Sequence, residues 1–366
     1  MHVTATTLHQ YVPDTQGIKY AGSKLKLLPY IVELISGLDI RRVFDGFSGS
    51  TRVSQAFARL GYDTVACDIA EWSEVFARCY LLNDREAAAY DQLIDHLNSL
   101  KGYDGWFTQH YGGDTGDGTK RPFQRKNTQK LDAIRDEIDR LDLGPIEEAV
   151  ALTSLILALD AVDSTLGHYA SYLSSWSPRS HNELKLKVPM VFRSAGDNAV
   201  VRDDVFNSMK GRRFDLAYFD PPYGSNNEKM PPSRVRYASY YHLWTTVVRN
   251  DRPQLFGRAN RREDSRDRLA GSVFEEFRRG EDGRFLSMSA IERLVRDADA
   301  RYILLSYSSG GRASKEELAD IIRSTGRLRE IVEVDHRHNV MARMRWTNEW
   351  INSDRKHIEY LFLMEK

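Results

Sequence analysis

The feature that most limits the fold is a regular alternation of helix-like and strand-like segments near the start of the chain. Residues 25–37, LKLLPYIVELISG, have the apolar spacing of a helix, and RRVFDGFSGS predicts a short strand, Val43–Phe44, that runs into a glycine-rich turn. A helix, a second strand that ends at Asp68 and another helix follow in STRVSQAFARLG, DTVACDIA and EWSEVFARCYLLN. Strands that alternate with crossover helices form parallel sheets, so we predict an α/β fold.

The alternation breaks off after residue 82 and resumes near the middle of the chain. The stretch up to residue 130 is polar and irregular, TQKLDAIRDEIDRL predicts an amphipathic helix, and residues 145–168 predict a long apolar helix. Strand patterns return in KVPMVFRSAGD and DLAYFD, and later in ARYILLSYSS, LREIVEVDHRH and HIEYLFLMEK. We therefore predict a sheet domain divided between residues 1–82 and 186–366, a mostly helical insertion at 83–185, and a basic segment at 226–283.

The composition excludes several other classes of protein. The 366 residues carry 52 basic and 52 acidic side chains, so any site for a polyanion must be a local patch. The two cysteines, Cys67 and Cys79, are too few for a zinc site or a disulfide framework. The N-terminal residues do not resemble a signal peptide, and no run of about 18 apolar residues occurs. We expect a cytoplasmic protein with no metal centre and no membrane partner.

Acidic residues stand at the ends of the predicted strands. Asp45, Asp68 and Asp220 each close an apolar strand, and Asp197 follows the apolar pair Val191–Phe192 less directly. Ligands bind outside the carboxyl ends of the strands in an open parallel sheet. The FDGFSGS turn lacks the G-x-G-x-x-G pattern that cradles a pyrophosphate. It is compatible with a plain structural turn or with a nucleoside ligand whose ribose hydroxyls bind Asp68.

The sequence FDPPY at residues 219–223 predicts a rigid loop. Neither Pro221 nor Pro222 can donate to a strand ladder, so the strand must stop at Asp220. The loop then presents a carboxylate, a backbone carbonyl and the ring of Tyr223. These groups suit a planar ring with an exocyclic amine, because the two oxygens each accept one amine hydrogen while the ring stacks on tyrosine. Such an arrangement makes the nitrogen a better nucleophile, so we predict all four residues, Asp220 to Tyr223, as catalytic.

Together these motifs resemble those of the DNA adenine-N6 methyltransferases of the Dam-like D12 class. FDPPY resembles their catalytic loop, VFDGFSGSTRVSQAF their cofactor loop, and IKYAGSKLKLLPYI their N-terminal cofactor motif. The motif order is that of the alpha group, and stretches such as LALDAVDSTLGHYASYL resemble methylases paired with type IIS restriction enzymes. The resemblance implies a Rossmann-like methyltransferase fold. In one departure, Ser50 stands where many relatives have a second glycine.

The resemblance also implies S-adenosylmethionine as the methyl donor and assigns residues to it. The first motif lies beside the cofactor, the residues after the first strand line its methionine end, and those after the second strand bind its ribose and adenine. The implied cofactor-binding residues are Tyr20, Lys24, Asp45, Phe47, Gly49, Asp68, Ile69, Asp197 and Asp220.

Methyl transfer to adenine N6 requires that the base be flipped out of the duplex, and Tyr223 would stack on it. Two acid-poor basic runs flank the catalytic loop. Residues 230–262 hold seven arginines and one acid, and residues 119–131 hold five basic residues and no acid. Either run is a solvated face or a nucleic-acid surface, and their position favours DNA. The predicted DNA contacts are Lys120, Arg121, Arg125, Lys126, Arg234, Arg236, Tyr240, Arg258, Arg261 and Arg262.

Other functions are also compatible with the FDPPY loop. Methylation of adenine N6 in RNA or of cytosine N4 in DNA is possible, although cytosine enzymes more often carry serine in place of Asp220, and the long insertion favours duplex DNA. A catalytically silent DNA-binding subunit would not need an intact DPPY sequence. The expected partners are double-stranded DNA and, acting separately, a cognate restriction endonuclease or a second methylase.

Overall fold

A seven-stranded sheet forms the centre of the protein. The computed structural model describes residues 12–114, 116, 120–223, 237–266, 269, 271–335 and 358–366. The strands are β1 (Arg42–Asp45), β2 (Asp63–Asp68), β3 (Ala199–Arg202), β4 (Phe214–Phe219), β5 (Ala300–Ser308), β6 (Arg327–Asp335) and β7 (Ile358–Glu365). Their order is β6-β7-β5-β4-β1-β2-β3; β7 runs antiparallel to both neighbours and the other pairs are parallel. The predicted α/β, Rossmann-like fold is therefore confirmed.

Helices cover both faces of this sheet. The α-helices of the described residues are α1 (Leu28–Ser36), α2 (Arg52–Arg59), α3 (Glu71–Leu81), α4 (Asp91–Ser99), α5 (Trp106–Tyr111), α6 (Arg125–Arg140), α7 (Pro145–Val162), α8 (Val205–Met209), α9 (Tyr237–Tyr240), α10 (His242–Arg249), α11 (Leu286–Asp297) and α12 (Lys315–Thr325). Val43 packs with α1 and α2, whereas its neighbour Phe44 packs with α8, α11 and α12 on the opposite face. Successive strand residues point to opposite faces, which explains why β1 and β4 are apolar without alternation.

The insertion packs against the outer side of α3. Phe76 of α3, Leu155 of α7 and Trp244 of α10 lie in one fully buried cluster. The hydrophobic core therefore continues from the sheet layer into the helices that follow residue 82. The division of the chain into domains inferred from the sequence stays a prediction.

The apolar helix α7 is shorter than predicted. It ends at Val162 rather than near residue 168, because the carboxylate of Asp163 binds two cations and the backbone there is extended. Asp163 Oδ1 lies 2.7 Å from Lys19 Nζ and 2.8 Å from Arg179 Nε. The backbone N–H of Lys19 also donates to Asp160 (3.0 Å), so the end of α7 fixes the segment that leads to Tyr20 and Lys24.

The strand next to β2 also differs from the prediction. Residues 187–197 contain no strand, and β3 forms at Ala199–Arg202 instead. Phe192 packs against the guanidinium of Arg59, 4.0 Å from its ring centroid, which accounts for its apolar character without a strand. The carboxyl end of β3 is therefore followed by Asp203, not by Asp197.

Candidate active site

A cavity of about 300 Å³ opens at the carboxyl ends of β1, β2, β3 and β4. It lies beside the boundary between β1 and β4, from which the strand order runs in opposite directions along the sheet. Ligands of open α/β sheets bind at such a switch point. The topology thus brings the loops after these strands to one cavity, including Asp45, Asp68 and Asp220.

The loop after β1 begins with a buried carboxyl group. Asp45 is inaccessible to solvent, and its Oδ2 accepts a hydrogen bond from Ser54 Oγ (2.5 Å). Burial raises the pKa of Asp45 to about 7, although the hydroxyl of Ser54 and the amide of Phe47 act in the opposite direction. The next residue is Gly46, where a Cβ would come within 2.8 Å of the Phe219 ring. Glycine therefore allows the loop to pass close to β4 as it leaves the sheet.

Gly49 has a backbone conformation that favours glycine. Its φ is +46°, in the left-handed region, and a Cβ there would lie 3.3 Å from the hydroxyl of Tyr20. Its N–H donates to Asp68 Oδ2 (2.8 Å) and thereby joins the loops after β1 and β2. Ser50 has no positive φ, whereas Thr51 has a φ of +59°. A serine in the place of the second glycine is therefore compatible with the backbone of this loop.

The loop after β2 presents one polar and one apolar side chain. Asp68 Oδ1 accepts the N–H of Ala70 (2.9 Å), so both its oxygens already have an amide partner. Burial raises the pKa of Asp68, against the effect of these amides. Ile69 lines the cavity and is 67% exposed.

The aspartate of the FDPPY loop forms an ion pair with the N-terminal motif. Asp220 follows β4 directly, and its Oδ1 lies 2.8 Å from Nζ of Lys24, which is 6% exposed. Burial raises the pKa of Asp220 to about 6, although Lys24 lowers it. Burial alone would lower the pKa of Lys24, but its carboxylate neighbours outweigh this and raise it. The pair is therefore ionised at neutral pH.

The remainder of this loop lies between the cavity and β7. Pro221 is buried and Pro222 lines the cavity. The ring of Tyr223 lies 5.4 Å from that of Tyr307, and its hydroxyl donates to Glu359 Oε1 (3.4 Å). The catalytic loop predicted from the sequence is thus in contact with both the sheet and the cavity.

Aromatic rings close the side of the cavity next to the N-terminal motif. Tyr20 stacks on Tyr241 with centroids 4.7 Å apart, and the rings of Trp72 and Tyr237 lie 5.6 and 5.5 Å from it. The Tyr241 hydroxyl accepts the N–H of Ala21 (2.7 Å). This cluster fixes Tyr20 against Gly49.

The arrangement agrees with comparisons of the sequence with known proteins. Residues 20–275, more than half of the chain, match the family of D12 class N6 adenine-specific DNA methyltransferases. The chain belongs to this family. The family predicted from the motifs is confirmed, and the protein is an adenine-specific DNA methyltransferase.

Individual relatives of the methyltransferase are distant. It is similar to the Type II methyltransferase M.NlaIII of Neisseria lactamica, with 27% identity over 95% of this chain and 99% of the relative. It also resembles the modification methylase StsI of Streptococcus sanguinis (27%) and the Type II methyltransferase M.FokI of Planomicrobium okeanokoites (25%), each over 84% of this chain. The chain spans about half the length of these last two, 46% and 47%.

One predicted cofactor residue of the methyltransferase lies away from the cavity. Asp197 precedes β3, and its N–H donates to Asp63 at the start of β2 (2.8 Å), so it stands at the opposite end of the sheet. Asp203 and Asp204 follow β3 and line the cavity instead. Asp204 Oδ1 also accepts the N–H of Phe206 and caps α8. The sequence points to Asp197 rather than Asp203 or Asp204 because the half-exposed β3 has a weaker apolar pattern than the stretch before it.

Glu359 also lies at this site, although no sequence motif indicates it. This residue lies on β7 with Oε2 3.9 Å from Lys24 Nζ, and the side chain is 13% exposed. The one feature of the sequence that could have indicated a role for Glu359 is an acid inside the otherwise apolar strand pattern IEYLFL. No pattern in the sequence relates this strand to the catalytic loop, since the two meet only through the order of strands in the sheet.

The predicted DNA contacts of the methyltransferase fall into different environments. Arg262 is 2% exposed and binds Asp251 and Asp264, so the structure argues against a role in DNA binding. Lys120, Arg125, Lys126 and Arg258 are exposed, although Arg125 pairs with Asp104 and Lys126 donates to the His181 carbonyl. Arg261 donates to the Ser265 carbonyl, Tyr240 stacks on His168, and the Arg121 side chain is half-buried beside Gly113. Arg234 and Arg236 lie outside the described residues.

Two further features bear on the type of site. Among the residues that the structure describes, no group of three or more His, Cys, Asp or Glu side chains is arranged to hold a metal ion. In the same residues, no helix has both the length and the apolar character needed to cross a membrane.

Proposed function

We propose that this methyltransferase transfers the methyl group of S-adenosylmethionine directly to N6 of a flipped adenine in duplex DNA. The observation that carries the proposal is that Asp220, at the end of β4, shares one cavity with Gly49, Asp68 and Ile69. An amine-binding loop and a nucleoside-binding surface therefore face the same space, as the transfer of a group between two ligands requires.

The residues around the cavity fit the proposed cofactor. Gly49 can approach a ligand closely because it lacks a side chain, and Asp68 retains acceptor capacity for ribose hydroxyls beyond its two amide bonds. Ile69 would pack on the adenine, while Asp45, Phe47, Tyr20 and Lys24 complete the wall. When it is bound, S-adenosylmethionine supplies an electrophilic methyl group, so the reaction needs no metal.

The FDPPY loop would hold the target base. The carboxylate of Asp220 and a backbone carbonyl of the proline pair accept the two hydrogens of the amine, which directs its lone pair away from the ring system. Tyr223 offers its ring as a stacking surface, and stacking offsets part of the cost of flipping, a few kcal/mol. With a pKa of about 6, Asp220 is ionised at neutral pH and able to accept both a hydrogen bond and a proton.

The names of the relatives support a proposal for the biological context. Several are Type II methyltransferases or modification methylases by name, so we propose that this enzyme is the protective methylase of a restriction-modification system. Its partners would be duplex DNA and, acting separately, a restriction endonuclease or a second methylase. Among the described residues, the exposed Lys120, Arg125, Lys126 and Arg258 are candidates for phosphate contacts.

Expression in a methylation-deficient host, followed by single-molecule sequencing of the host DNA, tests this function. We expect N6-methyladenine at one short recognition sequence. Methylated cytosine would indicate the N4-cytosine alternative, whereas methylation confined to RNA would indicate the RNA alternative. Absence of any methylation by the purified protein, despite specific DNA binding, would support the silent DNA-binding subunit.

A further inference from the structure

A buried cluster beside the catalytic loop holds one cation between two carboxylates. Lys24 Nζ lies 2.8 Å from Asp220 Oδ1 and 3.9 Å from Glu359 Oε2. The other oxygen of Glu359, Oε1, accepts a hydrogen bond from the Tyr223 hydroxyl (3.4 Å). Glu359 therefore contacts both the cation that neutralises Asp220 and the aromatic residue of the loop.

Lys24 occupies an acceptor that the proposed function assigns to the target amine. Its ammonium lies at hydrogen-bonding distance from Asp220 Oδ1, so an amine that donates to this oxygen competes with it. The displaced ammonium is nearly inaccessible to solvent, and an uncompensated buried charge is strongly unfavourable. Away from Asp220, Lys24 would keep the neutral carbonyl of Gly22, to which its Nζ donates (3.0 Å), so entry of the base favours a second carboxylate beside the ammonium.

Glu359 is placed to be that carboxylate. Its Oε2 has no hydrogen-bond partner in the described part of the chain, and only the 3.9 Å separation from Lys24 Nζ needs to close. Its strand is paired on both sides, with Ser308 of β5 and Val334 of β6 opposite Glu359, so the backbone cannot move away. A short movement of Lys24 is therefore sufficient.

We propose that Glu359 is a positioning residue that takes Lys24 from Asp220 when the target amine enters. Asp220 is then free to accept the hydrogens of the amine, while Lys24 stays neutralised. The inference rests on the proposed function, since it presumes that an amine binds at Asp220.

The charges around Asp220 give the sign of a pH effect. Burial is the largest influence and raises the pKa of Asp220, Lys24 lowers it, and Glu359 raises it. Removal of the Glu359 charge therefore lowers the pKa of Asp220. The other titratable side chains that line this pocket or belong to the loop are Asp45, Asp68, Asp203, Asp204, Glu275, Arg52, Tyr20, Tyr218, Tyr223 and Tyr237. The four tyrosines stay neutral at working pH because burial raises their pKa values well above the ordinary value.

The test compares Glu359→Gln with Glu365→Gln, a substitution on the same strand whose carboxylate pairs with Arg329 at the other end of the sheet. For Glu359→Gln we expect the single-turnover rate of methyl transfer to fall about tenfold, the scale of one lost contact to a charged group. We also expect the acid limb of the pH profile of kcat/KM to move to lower pH. Glu365→Gln should change neither quantity.

A double-mutant cycle separates this role from a merely structural one. In a Lys24→Met background, Glu359→Gln should cause no further loss of rate, because Glu359 acts through Lys24. The same tenfold loss in both backgrounds, or an unchanged acid limb, would overturn the inference. Binding of S-adenosylmethionine and thermal unfolding are measured for each variant to verify folding. An inactive wild-type enzyme would refute the proposed function itself, whereas an active wild type with an equally active Glu359→Gln variant would refute this inference alone.

Discussion

Substitution of Gly49 by alanine tests whether the loop after β1 binds the cofactor. Gly49 has a φ of +46°, and an L-residue in this region costs about 1–2 kcal/mol. The added methyl group would also lie 3.3–3.4 Å from the hydroxyl and ring of Tyr20, which is held by stacking on Tyr241. Because Tyr20 cannot move freely, we expect the loop to shift and the bond from Gly49 N–H to Asp68 to weaken.

The chain offers a matched control in Gly61. This glycine has a φ of +89°, but a Cβ there would meet nothing within 4 Å. Both alanine variants should lose about 1 kcal/mol of unfolding free energy, measured by urea denaturation. Only Gly49→Ala should also weaken binding of S-adenosylmethionine, by about tenfold in titration calorimetry, which corresponds to about 1.4 kcal/mol. Unchanged affinity in Gly49→Ala, or an equal loss in Gly61→Ala, would refute the assignment of this loop.

Four further outcomes follow from the environments of single side chains. Asp45→Asn should raise the unfolding free energy more at pH 8 than at pH 4. The pKa of Asp45 is raised to about 7 in the folded protein, so the wild type loses stability as the pH rises toward 7. If the difference in unfolding free energy between the variant and the wild type were the same at both pH values, this reasoning would be contradicted. Arg262→Ala should lower the unfolding free energy by about 2 kcal/mol, less than for a fully buried pair because its partners are partly exposed. Arg258→Ala should instead leave stability unchanged and reduce the salt dependence of DNA binding by about one phosphate contact. Tyr223→Ala should reduce the 2-aminopurine fluorescence increase at the target position, and an undiminished signal would remove this ring from base capture.

The sequence predicts the acids at the cavity because local rules determine where their strands end. Two prolines stop β4 after Asp220, a glycine-rich turn follows Asp45, and the apolar run before Asp68 gives way to a helix pattern that starts at Glu71. These signals depend on residues adjacent in the chain. The carboxyl ends of parallel strands then meet at one edge whatever the intervening insertion does.

Features that depend on packing between distant segments could not be predicted in this way. Glu359 reaches Lys24 because β7 lies antiparallel between β5 and β6. The arginines of one basic run look alike in sequence, yet Arg262 is buried by two carboxylates while Arg258 is exposed. Asp197 was expected in the cavity because the short, half-exposed β3 has a weaker apolar signal than the loop before it.

The central claim is that Asp220 binds the amine of the target base, and methyl incorporation by an Asp220→Ala variant tests it most directly. Tritiated methyl transfer to duplex DNA is measured for wild type, for Asp220→Ala and for Asp215→Ala. Asp215 lies on the same strand, but its carboxylate accepts the backbone N–H groups of Arg41 and Arg42 at the far end of the sheet. We predict transfer by wild type and Asp215→Ala and none by Asp220→Ala, which should remain folded. Transfer by Asp220→Ala at a rate comparable to wild type would contradict the account.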